Sequence, residues 1–243
     1  KEKQWQFMLR VAPFLPLPLR RRLFQEVHSQ FGGHLTYLIS GGAYLNPEVE
    51  QKWAALGITI LQGYGATEAS PVIATNTFKH SRLGSVGKTL PGMDLKFAED
   101  GEILVKGANI TLGYWHNSEA TAAAFADGWY QTGDLGYLDR QGFLYLKGRK
   151  KDLIVLDNGQ NVYPEDLESL LNQHPEVKDS VILGLPNARG IIRVHAVLLM
   201  EEGEDAAETV SSVNQRVSDH QRIRGFTIWP EEDFPRTHTM KIR

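Results

Sequence analysis

A strand, a helix and a second strand can be read in succession near the start of the chain, and this unit constrains the fold more than any other stretch. Residues 35–39 and 58–61 are short apolar runs with the composition of buried strands. Between them, Asn46 followed by Pro47 is typical of a helix start, and Gly57 is typical of a helix end. The pattern predicts an α/β sheet in this part of the chain.

Each predicted strand is followed by a glycine-rich segment, at residues 40–43 (SGGA) and 62–68 (QGYGATE). Open α/β sheets bind their ligands where strands end in this way. Glycines let a ligand approach the backbone, and Tyr64 between two of them offers a flat face for stacking. Thr67 and Glu68 could then serve a phosphate oxygen and the divalent cation that the phosphate carries. The alternative is a tight turn in which Thr67 caps the segment that follows.

A β-rich stretch is predicted at residues 70–147, and a new α+β pattern follows it. Residues 84–89 (GSVGKT) resemble the end of a phosphate-binding P-loop, but Arg82 stands where that motif needs its first glycine. Pro91 then prevents the helix that such a loop must open, so we predict a turn and a strand instead. The short charged segment at residues 148–152 (GRKKD) is predicted to separate the two patterns.

Single helices are predicted near both ends of the chain. A proline-punctuated linker at residues 12–18 precedes a helix that should continue to Phe31 and end at Gly32. In the last part of the chain, the apolar periodicity predicts one helix over residues 209–220.

Charge and composition exclude several classes of function. The 26 basic and 29 acidic residues give a formal net charge of −3, so we expect no nucleic-acid partner. The sequence has no cysteine, which excludes disulfides and thiolate metal sites, and its histidines show no metal-ligand spacing. We predict His28, His174 and His220 at the surface. No apolar run approaches the roughly 20 residues of a membrane span, so the expected location is cytoplasmic, with at most peripheral membrane association.

Five short motifs follow one another in the order found in adenylate-forming enzymes. They are residues 40–43, 63–68, 130–134 (YQTGD) and 148–152, and then Pro235, Arg236 and Thr237 with Lys241. The chain therefore resembles this superfamily, which includes acyl-CoA synthetases, firefly-type luciferases and the adenylation domains of peptide synthetases. Residues 158–165 (NGQNVYPE) are similar to the long-chain fatty-acid–CoA ligase branch in particular.

The resemblance implies a fold of the α/β plus α+β class. Residues 1–147 would be the C-terminal portion of a large AMP-binding domain, and residues 148–243 would be a small α+β lid domain. The hinge would lie near residues 149–152, with Lys151 at the family's hinge position. The family's Ser/Thr/Gly-rich phosphate loop, which lies upstream of these motifs, is missing from the chain. We therefore expect a piece of a longer protein that forms no adenylate by itself.

The resemblance also implies a two-step reaction that uses ATP, Mg²⁺ and coenzyme A (CoA). A carboxylic acid, a fatty acid in this branch, attacks the α-phosphate of Mg-ATP to give an acyl-adenylate and pyrophosphate. The thiol of CoA then takes the acyl group. The attacking acid needs no general base, because it is already ionised at neutral pH. The alternatives are transfer to a carrier-protein phosphopantetheine, and a non-catalytic homologue that only binds the nucleotide.

The resemblance assigns specific residues to the nucleotide. These residues are Gly41, Gly42, Ala43, Gly63, Tyr64, Gly65, Ala66, Thr67, Asp134 and Arg149. Tyr64 would lie against adenine, and Thr67 would contact a phosphate. Asp134 would accept hydrogen bonds from the ribose hydroxyls, with Arg149 assisting. Glu68 would hold Mg²⁺ and, with Thr67 and a tail lysine, would form the catalytic group.

That tail lysine, Lys241, would bridge the carboxylate and α-phosphate oxygens as negative charge grows in the transition state. Gly159, in the turn after the hinge, would line the CoA channel. Simpler alternatives exist for each charged residue. Asp134 could cap a turn, Arg149 and Lys151 could be solvated linker charges, and Lys241 could be an exposed tail residue.

Overall fold

The computed structural model of the chain describes residues 2–237 and 242. The chain divides into two compact units. The first comprises Lys1–Thr132 and Gly136–Leu146, and the second comprises Gly133–Leu135 and Lys147–Arg243. Each unit combines helices with strands around its own apolar core, which confirms the predicted fold class. The predicted domain boundary and hinge stay predictions. Among the residues described, no helix is long and apolar enough to cross a membrane.

Short helices open the first unit. They are α1 at Glu2–Val11, a 3-10 turn at Ala12–Phe14, α2 at Leu17–Leu23 and α3 at Gln25–Gln30. The prediction of one helix up to Phe31 is wrong, because Phe24 has non-helical backbone angles (φ −107°, ψ 31°) that separate α2 from α3. Phe24 is itself buried in a small apolar cluster with Ala12 and Ala55. The stretch predicted as a linker contains the 3-10 turn and the first residues of α2.

The predicted strand–helix–strand unit is confirmed. It consists of β1 at Tyr37–Ser40, α4 at Pro47–Ala55 and β2 at Thr59–Gly65. The two strands are parallel, with Tyr37 opposite Thr59. The Asn46 side chain accepts a hydrogen bond from the backbone NH of Glu48 (2.8 Å), so it caps α4 as predicted. Gly57, just past the helix, has φ +85°, a left-handed angle that glycine adopts without strain.

His28 on α3 is buried, and its predicted surface position is wrong. The residue is 4% exposed, and its Nε2 lies 2.8 Å from the carbonyl oxygen of Leu56. A carbonyl oxygen only accepts, so Nε2 carries the proton of this hydrogen bond. The contact ties α3 to the residue that follows α4. His174 and His220 are partly exposed, as expected of surface residues.

Two antiparallel strands extend the first sheet. They are β3 at Val72–Thr75 and β4 at Lys88–Thr89, and the strand order is β1-β2-β3-β4. The pairing with β3 prolongs β2 through residues 62–65. The predicted end of the strand at residue 61 is wrong for this reason. Lys88 and Thr89 lie in a strand, in agreement with the rejection of a P-loop.

A second sheet forms the β-rich stretch of the first unit, with strand order β5-β6-β8-β7 and β9 paired to β8. Its elements are β5 at Met93–Phe97, β6 at Glu102–Gly107, α5 at Ser118–Ala124, β7 at Phe125–Ala126, β8 at Trp129–Leu138 and β9 at Leu144–Arg149. Ile73 of β3 and Ile103 and Val105 of β6 are fully buried in one cluster. One apolar core therefore joins the two sheets of this unit.

The second unit is built on a three-stranded sheet. Its elements are a 3-10 turn at Lys150–Asp152, β10 at Ile154–Val155, β11 at Asn161–Val162, α6 at Pro164–Leu171, β12 at Val177–Pro186, β13 at Ile192–Met200, α7 at Ala206–Asn214, a 3-10 turn at Asp219–Gln221 and β14 at Gly225–Ile228. β13 pairs antiparallel with β12 and parallel with β14. Leu167 and Leu171 of α6 and Val213 of α7 are fully buried in the same cluster as the sheet residues.

The helix predicted over residues 209–220 is wrong at both ends. It begins earlier because the Asp205 side chain caps α7, accepting a hydrogen bond from a first-turn NH at 2.8 Å. It ends at Asn214, whose side chain binds the backbone NH and carbonyl oxygen of Ile223 at 2.8 and 3.0 Å. The Asp205 cap and the contacts of Asn214 with Ile223 mark helix ends that apolar periodicity alone does not predict.

Candidate active site

The two glycine-rich segments lie side by side because β1 and β2 are parallel neighbours. Ser40, the last residue of β1, pairs with Gln62 of β2. A Cβ atom on Gly41 would lie 3.1 Å from the carbonyl oxygen of Gly63, which is closer than most side chains tolerate. Residues 41–43 are exposed to solvent. The structure thus brings together two of the segments predicted to bind a nucleotide.

Tyr64 and Gly65 are the last residues of β2, and little space for a side chain remains at Gly65. A Cβ atom on Gly65 would lie 1.7 Å from the carbonyl oxygen of Pro71, so only glycine fits without a backbone shift. Tyr64 is 7% exposed and packs in the core of the first unit with Ala69 and Ile73. Its predicted place against adenine stays a prediction.

A 3-10 turn at Thr67–Ala69 follows β2 directly. Its N-cap residue is Ala66, and no side chain caps it. The alternative in which Thr67 caps the following segment is therefore wrong. Thr67 is exposed and Glu68 is half-buried, so neither side chain is enclosed in the core.

Glu68 is held by the loop that follows β6. The Tyr114 hydroxyl donates to Oε1 of Glu68 at 2.7 Å, and the backbone NH of Thr111 donates to the Glu68 carbonyl oxygen at 2.8 Å. The hydrogen bond to the Glu68 carboxylate, together with burial, raises the pKa of Tyr114. Sequence reasoning missed Tyr114, because 46 positions separate the partners and no motif marks the pair.

The side chains of this turn fit a magnesium ion that arrives with a nucleotide. Mg²⁺ in such sites keeps several waters and binds one or two carboxylates together with substrate phosphates. Glu68 supplies one such carboxylate, next to the Thr67 hydroxyl. Within the described part of the chain, no group of three or more acidic, His or Cys side chains could hold a metal ion. The donor set therefore suits a phosphate-borne metal better than a resident one.

Asp134 and Arg149 form an ion pair in the second unit. Arg149 Nε lies 2.9 Å from Oδ1 of Asp134, whose side chain is 12% exposed, against 49% for Arg149. Asp134 lies within β8, so the alternative that it caps a turn is wrong. The two residues predicted to share the ribose are neighbours, and Arg149 is not merely a solvated linker charge.

Further carboxylates lie on α6 in the same unit. The Cδ of Glu165 lies 3.5 Å from where a Cβ of Gly148 would be. Burial and then repulsion from Asp134 raise the pKa of Glu165. Glu168 accepts a hydrogen bond from the backbone NH of Ile182 at 2.8 Å, and burial raises its pKa to about 7. The contacts of both glutamates lie within the second unit, as expected of structural groups.

The remaining predicted site residues belong to the second unit. Lys151 is exposed in the 3-10 turn after β9, and its hinge role stays a prediction. Gly159 turns the chain between β10 and β11 with φ +79°. Lys241 lies outside the described residues. Arg236 of the same motif, to which sequence reasoning gave no role, is ion-paired with Asp179 at 2.7 Å.

Models of two protein families match most of the chain. The family described as AMP-binding enzyme matches residues 4–115. The family described as AMP-binding enzyme C-terminal domain matches residues 151–243. The first match contains the motifs at residues 40–43 and 63–68, and the second contains the motif of residues 235–237 and 241.

Curated relatives include two kinds of CoA ligase. The long-chain-fatty-acid–CoA ligase FadD15 of Mycobacterium tuberculosis is 42% identical over 164 residues, which are 68% of this chain and 27% of that protein. The 2-succinylbenzoate–CoA ligase of Listeria monocytogenes is 35% identical over 222 residues, which are 90% of this chain and 47% of that protein. The chain thus spans less than half the length of either relative.

Solved structures share the fold as well. The o-succinylbenzoate CoA synthetase of Bacillus subtilis, in complex with the acyl-adenylate intermediate OSB-AMP, aligns with a TM-score of 0.77 and 32% identity over 85% of this chain and 44% of that chain. The same synthetase with ATP and a magnesium ion gives a TM-score of 0.76. Motif order, family models and fold agree, and the chain belongs to the AMP-binding, adenylate-forming enzyme family.

Proposed function

We propose that this chain is part of an AMP-forming acid–CoA ligase. The protein would use Mg-ATP to convert a carboxylic acid into an acyl-adenylate, with release of pyrophosphate, and would then transfer the acyl group to CoA. The observation that carries the proposal is the Thr67–Glu68 turn, a hydroxyl and a carboxylate that follow the glycines of β2. Because the chain spans less than half of its relatives, the activity is proposed for the full-length protein.

Adenylate formation brings two anions together, since the acid and the α-phosphate are both negatively charged. Thr67 would donate a hydrogen bond to a phosphate oxygen. Glu68 would hold the magnesium ion, which neutralises phosphate charge when it is bound. Lys241 would bridge the carboxylate and α-phosphate oxygens as charge develops between them. These roles are the ones that the family resemblance implies, and they suit a reaction that must hold two anions together.

The nucleoside would be recognised by polar and aromatic groups. Asp134 would accept hydrogen bonds from the ribose hydroxyls, because an ionised carboxylate only accepts. Arg149, which pairs with it at 2.9 Å, would hold the carboxylate in one orientation. Residues 41–43 would line the nucleotide and acyl pocket, and Tyr64 would lie against adenine.

Acyl transfer to CoA would use the second unit. We place the hinge at residues 149–152, between a large domain that ends near residue 147 and a lid domain, with Lys151 in the hinge. Gly159 would line the CoA channel. Its positive φ favours glycine, and a Cβ there would meet nothing within 4 Å, so the turn leaves room for a chain-like ligand.

A fatty acid is the substrate that we propose, and a 2-succinylbenzoate-like acid is the second candidate. Identity does not separate the two candidates, because a fatty-acid–CoA ligase reaches 42% and a 2-succinylbenzoate–CoA ligase reaches 43%. The 2-succinylbenzoate–CoA ligase of Listeria monocytogenes aligns over more of the chain, at 90%. Residues 158–165 favour the fatty-acid branch by their sequence. A carrier-protein phosphopantetheine is the alternative to CoA as the acyl acceptor.

Hydroxamate trapping with the full-length protein tests this proposal. We expect ATP, Mg²⁺ and long-chain fatty acids to give trapped product, and CoA to convert the adenylate into a thioester. Lys241→Ala should abolish trapping, while Lys178→Ala, which removes an exposed lysine paired with Glu201, should not. Product only with 2-succinylbenzoate would establish the second candidate. Absence of product with every acid would support a non-catalytic homologue. The 243-residue chain by itself should form no trapped product.

A further inference from the structure

The loop after β6 is fastened to the Glu68 turn at several points. Asn109 Nδ2 donates to the carbonyl oxygen of Ala69 at 2.7 Å. The backbone NH of Thr111 donates to the backbone carbonyl oxygen of Glu68 at 2.8 Å. The Tyr114 hydroxyl donates to Oε1 of Glu68 at 2.7 Å. Amide, backbone and phenol groups of one loop thus hold both the turn and the carboxylate that it carries.

Tyr114 is itself fixed from several sides. Its backbone NH donates to Oγ1 of Thr121 in α5 at 2.9 Å. Its ring meets the ring of Phe125 edge-on, with centroids 6.1 Å apart. Tyr130 makes a side-chain hydrogen bond to its hydroxyl. A Cβ on Gly113 would lie 2.6 Å from Cγ2 of Thr121, so the backbone before Tyr114 is pressed against α5. The phenol is therefore a preorganised donor.

We propose that Tyr114 is a positioning residue, which orients the Glu68 carboxylate for the magnesium ion that the nucleotide brings. The inference rests on the proposed function, in which Glu68 is the metal ligand. A half-buried glutamate without a fixed partner samples several rotamers, and fixing it costs side-chain entropy. The Tyr114 hydroxyl selects one orientation before the nucleotide binds.

The chemistry of the partner suits this role. A phenol donates one hydrogen bond and brings no positive charge, and a carboxylate accepts at both of its oxygens. Glu68 therefore keeps its negative charge for a cation while its direction is set. Hydrogen-bond partners of metal ligands orient those ligands in this way and tune their affinity.

Direct measurement of metal binding tests the inference. The full-length protein is titrated with Mn²⁺ in the presence of α,β-methylene-ATP, which resists cleavage at the α-phosphate, and free Mn²⁺ is followed by electron paramagnetic resonance. The variants are Tyr114→Phe, Glu68→Gln and the double variant. Tyr137→Phe is the matched control, because that tyrosine lies in β8, outside the loop after β6, and its ring stacks on Tyr145. Binding of the analogue without metal verifies that each variant is folded.

We expect Tyr114→Phe to weaken Mn²⁺ binding about 10-fold or more, the loss typical of outer-shell partners of metal ligands. Tyr137→Phe should leave it unchanged. In the Glu68→Gln background, Tyr114→Phe should add nothing, because the hydroxyl acts through the carboxylate. Unchanged or tighter binding in Tyr114→Phe, with weaker binding in Glu68→Gln, would overturn this inference alone. Unchanged binding in Glu68→Gln would overturn the metal role of Glu68 in the proposed function.

Discussion

Two carboxylates, Glu68 in the first unit and Asp134 in the second, are held in opposite ways. Glu68 is half-buried on a turn and accepts a hydrogen bond from the neutral phenol of Tyr114 at 2.7 Å. Asp134 is buried within a strand and pairs with the guanidinium of Arg149 at 2.9 Å. A phenol leaves the carboxylate charge in place for a cation, whereas a guanidinium offsets it. The difference matches the proposed ligands, a metal ion for Glu68 and neutral ribose hydroxyls for Asp134.

Removing the charge of Glu68 should have the largest effect, and it tests whether this carboxylate binds a metal ion. Glu68→Gln keeps the side-chain size and removes the proposed ligand of the phosphate-borne cation, so pyrophosphate exchange by the full-length protein should fall about 100-fold or more. The free energy of unfolding should change by less than about 0.5 kcal/mol, because the residue is outside the core. A large loss of stability with little loss of exchange would make Glu68 a structural carboxylate.

Glu168 is a third carboxylate to compare with Glu68 and Asp134. It accepts a hydrogen bond from a backbone NH and is largely buried. Burial raises its pKa from 4.5 to about 7, so the folded chain binds a proton that the unfolded chain releases at lower pH. Its contribution to the free energy of unfolding is full below pH 4.5 and is lost as pH rises through about 7. The loss should reach roughly 3 kcal/mol at most, at 1.36 kcal/mol per pKa unit.

Urea unfolding at about pH 5 and about pH 8 measures this loss. Glu168→Gln should flatten the pH dependence, because its side chain has no proton to release. Glu201→Gln is the matched control, since that glutamate is exposed and pairs with Lys178. If the free energy of unfolding depends on pH equally in Glu168→Gln and in the unchanged chain, groups other than Glu168 cause the dependence.

Arg149→Met tests whether the Asp134 ion pair serves the nucleotide or only the fold. The full-length protein should bind ATP about 10-fold more weakly, since a hydrogen bond to a charged group contributes about 1.5 kcal/mol. Stability should fall by about 1 kcal/mol, because Asp134 loses its cation while largely buried. Nucleotide titration and urea unfolding measure the two effects, with Arg189→Met, in an exposed turn, as control. A loss confined to stability would contradict the ribose role of the pair.

The smallest effect is expected at the ion pair of Lys178 with Glu201. The two groups are 3.1 Å apart, but their side chains are 44% and 54% exposed. Lys178→Ala should therefore lower the free energy of unfolding by less than about 0.5 kcal/mol, as measured by urea unfolding. If Lys178→Ala lowers the free energy of unfolding as much as Arg149→Met does, burial does not explain a difference in strength between the Lys178–Glu201 and Asp134–Arg149 ion pairs.

The parts of the fold that could be predicted have their signals close together in the sequence. The β1-α4-β2 unit is an example, because its apolar runs, the Asn46 cap and Gly57 all lie within one short stretch. The proximity of Asp134 and Arg149 was expected only through the family resemblance, which places both residues at one ligand, and the ion pair itself was not predicted. Its geometry confirms that they are neighbours.

The parts that could not be predicted depend on partners far away in the chain. At the end of α7, Asn214 binds Ile223, and the buried His28 bonds to Leu56. The extension of β2 through residues 62–65 follows from its pairing with β3. Helical periodicity and composition carry no information on such contacts, so the helix end, the buried histidine and the strand end were missed.

The contact between Tyr114 and Glu68 also has a consequence for the order of folding. The two residues are 46 positions apart, and β3, β4, β5 and β6 lie between them in the chain. Closing so long a loop costs chain entropy before the contact contributes anything. The contact with Tyr114 should therefore form after the local contacts of β1, α4 and β2. Because the Glu68 carboxylate is oriented only then, the proposed binding of the metal–nucleotide complex should appear late in refolding.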